Sequence, residues 1–208
     1  MGPTVRIGAV SVLGVLVFSQ MAWASLAMDI NEPWWRGQEG STMAGWEFST
    51  SSVLPPADEL HNPYGSAELE VFPITGDEWW PEHEGRTGVW PLSGTVEVDI
   101  DNRPEALERK EIWVQLAWRP KVAEARPVVG EVVWEVEGQL VSEEPQANEW
   151  VHSTYTITIM PNPSFETVKV SGSIAVDALV IDTWCIPEPT PLVLLALGSL
   201  VFVRRRRT

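Results

Sequence analysis

Apolar and polar residues alternate with a period of two through most of the middle of this chain. Val96, Val98 and Ile100 interleave with Thr95, Glu97 and Asp99. Ile112, Val114, Leu116 and Trp118 interleave with Trp113, Gln115 and Ala117. Val132, Trp134 and Val136 interleave with Glu131, Val133, Glu135 and Glu137; Val151, Ser153, Tyr155, Ile157 and Ile159 interleave with His152, Thr154, Thr156 and Thr158. Successive side chains of a strand point to opposite faces, so each run predicts a strand with one face toward a core and one toward water. A final run, Val168 to Trp184, predicts a long strand or strand pair bent at Ser171-Gly172-Ser173. Turn formers separate the runs at Pro55-Pro56, Asn62-Pro63, Ser93-Gly94, Asp101-Asn102, Arg119-Pro120 and Pro161-Asn162-Pro163. Helical periodicity is confined to the short stretch Pro104 to Glu111. The pattern predicts an all-β fold, one antiparallel β-sandwich of jelly-roll type. Val98, Val114, Leu116, Val132, Ile157 and Val180 are expected on its inner face. Residues 31–65, rich in Pro, Gly, Ser and Asn, are expected to form a long irregular loop region. That region should pack on the sandwich through Trp34, Trp35 and Trp46, with one strand at Trp46 to Ser49.

The two ends follow other patterns. Arg6 precedes the apolar run Ile7 to Phe18, and Ala22-Trp23-Ala24 supplies a small-x-small cleavage site. Residues 1–24 therefore read as a signal peptide with a short helix, and Ser25-Leu26-Ala27 offers a second cut. At the other end stand Pro187, Glu188 and Pro189, then the apolar stretch Leu192 to Val203, then Arg204, Arg205, Arg206 and Arg207. The prolines remove backbone donors and fix φ, so the motif is neither helix interior nor central strand. A helix of about 12 to 15 residues reaches only about 20 Å, short of a hydrocarbon core of roughly 30 Å. The arginines are expected to stay cytoplasmic, which places the body, residues 25–186, on the outer side of the inner membrane.

Charge narrows the reading. The chain of 208 residues carries a formal net charge of −15, and five of its 14 basic residues sit at the two ends. Without Arg6, Arg204 to Arg207 and Glu188, nine basic residues face 28 acidic ones, a net −19 for the body. Such a surface repels phosphates, so no nucleic-acid partner is expected. It attracts divalent cations. Cys185 is the one cysteine and cannot form an intramolecular disulfide.

Pro187-Glu188-Pro189, the apolar stretch and the terminal arginines together resemble the PEP-CTERM sorting signal of bacterial surface proteins. The resemblance covers about the last tenth of the chain. It implies an exosortase-type membrane peptidase as partner, a transient inner-membrane intermediate, and delivery to the cell surface or extracellular matrix. Such tails share a label with ice-binding proteins that carry them; the likeness concerns the sorting route alone. Ser173 to Asp182 resembles the last strand of jelly-roll carbohydrate-binding modules, and carried over by position Asp177 would touch a structural calcium. The body is also similar to exported proteins with the same tail, through Trp35-Arg36-Gly37-Gln38 and Gly88-Val89-Trp90-Pro91-Leu92-Ser93-Gly94. That likeness brings no activity with it.

Candidate chemistry centres on tryptophan. The chain has twelve, and eleven lie in the body. An exposed indole offers a flat apolar face to the C–H face of a pyranose, and Trp79, Trp80, Trp34 and Trp35 are the stacking candidates. Adjacent strand residues face opposite ways, so one of each pair is free to be core. Trp113, Trp118 and Trp134 are expected to pack. Glu68 and Glu70, Glu97 and Asp99, and Glu135 and Glu137 are spaced for one strand face, at separations of about 7 Å that glycosidases use. In a body this acidic, such pairs arise without catalysis. His61, His83 and His152 are far apart, and neither H-E-x-x-H nor G-x-S-x-G occurs. The single threonine stripe Thr154, Thr156 and Thr158 is not an ice-binding array. The sequence points to a non-enzymatic surface or matrix protein without a cofactor. A carbohydrate-binding module is the alternative, and a glycoside hydrolase stands third.

Overall fold

The computed structural model describes residues 31–104 and 109–186. The signal helix, the sorting motif, the apolar tail helix and the four arginines lie outside these residues. So does the middle of the helical candidate; its end, Arg109 to Glu111, opens a strand instead.

The strands in chain order are β1 (Ser41–Trp46), β2 (Glu59–His61), β3 (Ala67–Phe72), β4 (Trp80–His83), β5 (Arg86–Leu92), β6 (Thr95–Asp101), β7 (Arg109–Pro120), β8 (Val128–Glu131), β9 (Val136–Glu137), β10 (Gln139–Pro145), β11 (Val151–Ile159), β12 (Phe165–Ser171) and β13 (Ile174–Ile186). The first sheet has the order β10-β11-β7-β13-β1-β2, with β5 also on β13 and β4 beyond β5. The second sheet has the order β3-β6-β12-β8-β9. Every ladder is antiparallel. The chain changes sheet at each step from β5 to β8 and again from β11 to β13, and its first strand pairs with its last. This interleaving is a jelly roll.

β13 is the spine of the first sheet. β7 follows it along one side for its whole length. The other side is shared: Ile174 to Val176 pair with β5, and Leu179 to Trp184 pair with β1. Val98, Val114, Leu116 and Ile157 are buried between the sheets as their alternation predicts, beside Trp46, Leu69, Val168 and Leu179.

Three expectations fail, each for a local physical reason. Trp46 ends a strand rather than starting one, and β1 lies inside the region expected to be loop. All six residues of β1 are buried, because both of its faces are covered. Small residues such as Ser41, Ala44 and Gly45 fill that space, and they hid the strand among turn formers. Val132 is 41% exposed. It belongs to the turn between β8 and β9, where Glu131 accepts the Trp134 N–H at 2.6 Å and the Thr167 N–H at 3.2 Å. Those bonds stop the strand that the alternation would continue. Val180 is buried but faces outward, beside its ladder partners Gly45 and Gln115. A bulge between Val176 and Ala178 shifts the phase, because the extra residue reverses which side chains face the core.

Candidate functional site: two clefts on the outer face of the first sheet

The segment 31–40 crosses the outer face of the first sheet. Asn31 secures one end: its N–H donates to Gln115 Oε1 at 2.9 Å, and its side-chain amide donates to Ser142 Oγ and Thr154 Oγ1 at 3.0 and 2.9 Å. Thr154, from the threonine stripe, is thereby buried. The Trp113 indole N–H donates to the Asn31 carbonyl at 3.0 Å. Arg36 clamps the middle with two parallel bonds to Asp182, Nε to Oδ1 at 2.5 Å and Nη2 to Oδ2 at 2.6 Å. The two side chains are 7% and 0% exposed, so this pair is nearly dry. At the far end the Cys185 N–H donates to the Gly40 carbonyl at 3.0 Å. Gly40 has φ of +85°, and a Cβ there would stand 2.9 Å from the Cys185 carbonyl oxygen, so only glycine makes this approach without strain.

This crossing builds an aromatic cleft. Trp35 stacks on Trp184 at 5.8 Å between centroids and 16° between planes. Trp34 meets Trp184 edge-on at 5.2 Å and 78°. Trp35 is 6% exposed and Trp34 is 78% exposed, so the adjacent pair divides into a support and a free indole. Trp34, Trp113 and Trp184 line a concavity of about 250 Å³ with Arg109 and Glu111 at its rim. Aromatic faces with polar groups at the margin suit a sugar ring, whose apolar face stacks while its hydroxyls hydrogen-bond.

A second cleft, of about 390 Å³, lies where the β4–β5 hairpin folds over the bulge in β13. Glu47, Trp79, Arg86 and Asp177 line it. Gly88 has φ of +76°, and a Cβ there would lie 2.4 Å from the Phe48 carbonyl oxygen, so the bare glycine lets β5 approach this wall. Trp79 packs half-buried against the core and donates its indole N–H to the Phe48 carbonyl at 3.0 Å. Trp80 is half-buried too, but it rests on Val89, Trp150 and Ala175, tilted over His83 at 4.3 Å. The structure thus brings Trp79 to the cleft with Asp177, and Trp80 away from it. Trp34 and Trp35 belong to the other cleft.

Asp177 is the bulged residue, and its carboxylate meets Arg86 Nη1 at 3.2 Å. Burial raises its pKa to about 6, against the opposing pull of Arg86, and Glu47 raises it further. Arg86 in turn lies 5.6 Å over the Trp150 ring. His152 is buried on the same face of the sheet; burial lowers its pKa, and Arg86 adds to that. The cation placed beside Asp177 is thus a guanidinium. Among the described residues, no three His, Cys, Asp or Glu side chains converge as for a metal ion.

The paired carboxylates lie elsewhere. Glu68, Glu70 and Asp99 are exposed on the open face of the second sheet, and Glu97 there pairs with Lys169 at 3.2 Å. Glu135 sits in the β8–β9 turn and so does not share a strand face with Glu137. Trp113 and Trp134 are not core side chains as expected: Trp113 lines the aromatic cleft and Trp134 is 43% exposed. Trp113 and Trp184 are the cleft residues that sequence reasoning missed. Their signal was phase, since Trp113 falls on the polar side of its strand with Gln115. The chain matches no protein-family model and no curated protein.

Proposed function

We propose that this chain is an exported, non-enzymatic surface or matrix protein that holds extracellular polysaccharide loosely in the aromatic cleft. An exosortase-type membrane peptidase would deliver it, acting at Pro187 to Pro189 while the apolar tail pauses in the inner membrane. The observation that carries the binding role is the division of labour between Trp34 and Trp35. A freely exposed indole is costly to display in water, and here a dedicated stack of Trp35 on Trp184 holds it in place. The acidic body favours neutral or cationic glycans over anionic ones.

A glycan array with the purified protein tests the binding role. Wild type should be retained by neutral polysaccharides, and Trp34→Ala should lose that retention with its fold intact. No retention by wild type on any glycan removes the binding role. The sorting role has its own test: alanines at Pro187, Glu188 and Pro189 should trap a membrane-bound precursor. A surface form that still carries Arg204 to Thr208 would refute cleavage.

A further inference from the structure

One end of the sandwich interior is polar. Lys110 lies on the apolar phase of β7 with Ile112 and Val114, and Glu166 lies on the apolar phase of β12 with Val168. Both therefore point between the sheets. Their side chains are 0% exposed, and Lys110 Nζ stands 3.0 Å from Glu166 Oε1. Asn102, just after β6, completes the group and is also buried.

The partners of Asn102 fix which way its amide points. Oδ1 meets only donors: the Arg103 N–H at 2.8 Å, the Cys185 thiol at 2.8 Å and Lys110 Nζ at 2.5 Å. Nδ2 meets only acceptors: Pro163 O at 2.8 Å, Glu166 Oε2 at 3.0 Å and Asn162 Oδ1 at 3.1 Å. The amide carbon is thus held next to a lysine amine, with its oxygen polarised and its nitrogen facing a carboxyl group.

We propose that Lys110 and Asn102 condense spontaneously into a side-chain amide, with Glu166 carrying the protons. The buried ion pair is costly in a dry interior, and passing one proton from the ammonium to the carboxylate leaves two neutral groups. Burial pushes the Glu166 pKa up to about 7 against the pull of Lys110, so Glu166 is a fit acceptor for that proton. The freed lone pair of Nζ attacks Cγ of Asn102 and forms the new C–N bond. Negative charge develops on Oδ1, where the Arg103 N–H and the Cys185 thiol already donate. Glu166 delivers its proton to Nδ2 through Oε2, the Cγ–Nδ2 bond breaks, and ammonia leaves. Glu166 then takes the surplus proton from the new amide nitrogen and ends neutral. No oxidant, reductant or co-reactant enters, and the reacting groups are held in contact, which removes the entropy cost of meeting.

The product would tie the end of β6 in the second sheet to the start of β7 in the first. A chain whose single cysteine cannot make an internal disulfide would gain a covalent link between its sheets. This proposal stands apart from glycan binding and sorting.

Intact-mass and peptide mass spectrometry of the purified full-length chain test it. Wild type should weigh less than its sequence requires by one ammonia, about 17 Da. Trypsin should release the segment Thr87 to Arg109 joined to Lys110 to Lys121 through Asn102 and Lys110. Lys110→Met and Glu166→Gln should both restore the full mass. A wild-type mass equal to that of its sequence overturns the proposal whether or not the variants fold. So does a deficit that maps to Cys185 or to any residue pair other than Asn102 and Lys110. Cross-linking undiminished in Glu166→Gln overturns the role given to Glu166.

Discussion

Two buried ion pairs occupy opposite faces of the first sheet near the same end of β13. Arg36 and Asp182 pair on the outer face, under the crossing segment; Lys110 and Glu166 pair on the inner face, beside Cys185. Both are dry, so burial does not distinguish them. The cation does. The guanidinium of Arg36 is a planar fork that meets both oxygens of Asp182 at once. The ammonium of Lys110 is a point charge that reaches a carboxylate, an amide oxygen and a thiol together. The first arrangement is a clamp. The second holds a nucleophile, an electrophile and a proton carrier in contact.

The largest expected effect separates the two. Asp182→Ala removes the carboxylate that accepts both bonds from buried Arg36 and should cost about 3 to 5 kcal/mol in urea unfolding. Glu166→Gln leaves buried Lys110 without its carboxylate and prevents the amide link proposed above, so it should cost about as much and also abolish the mass deficit of about 17 Da. A mass change in Asp182→Ala, or none in Glu166→Gln, would break the comparison.

The next effect is a pH dependence. Glu166 rises from 4.5 to about 7 and Asp177 from 3.8 to about 6 on folding, both chiefly by burial. A carboxyl group raised in the folded state binds more protons there than in the unfolded chain. Its contribution to stability is full below the unfolded pKa and is lost as pH rises through the folded value. Stability should therefore fall between about pH 4 and 7, by roughly 1 to 3 kcal/mol from these two groups. Asp177→Asn should flatten the part of the curve below about pH 6, and Glu166→Gln the part near pH 7. If wild type minus Asp177→Asn shows no change in melting temperature across that range, the burial argument for Asp177 is wrong.

How much of this was legible depends on which face of a strand meets water. β6, β7 and β11 each have one wet face or one polar face, and their alternation names the core correctly at Val98, Val114, Leu116 and Ile157. β1 is covered on both faces, so it carries no alternation to read. Val180 was misplaced because a single bulged residue reverses phase, and nothing in Val176-Asp177-Ala178 announces a bulge. The inner polar group was half visible: Lys110 and Glu166 interrupt apolar phases with charges, which calls for partners. That Asn102 and Cys185 join them follows from strand register, which has no local signature. The aromatic cleft was hidden likewise. Trp113 stood on the polar phase of β7, but its neighbour Trp34 arrives from a segment about 80 residues away in sequence, a contact that only the tertiary fold creates.

The smallest expected effect on stability is the sharpest on function. Trp35 is buried against Trp184, so Trp35→Ala opens a cavity beneath the crossing segment and should cost about 3 kcal/mol or more. Trp34 loses little water-exposed area on folding, and Trp34→Ala should change stability by no more than about 0.5 kcal/mol. The substitution leaves Arg36, Asp182 and the Trp35–Trp184 stack in place. If the cleft holds polysaccharide, this nearly silent change should remove retention in affinity gels while the melting temperature stays where it was. Loss of both together would make Trp34 one more packing residue. Loss of neither would leave the cleft without a ligand and move the search to the bulge cleft, where Trp79 and Asp177 meet.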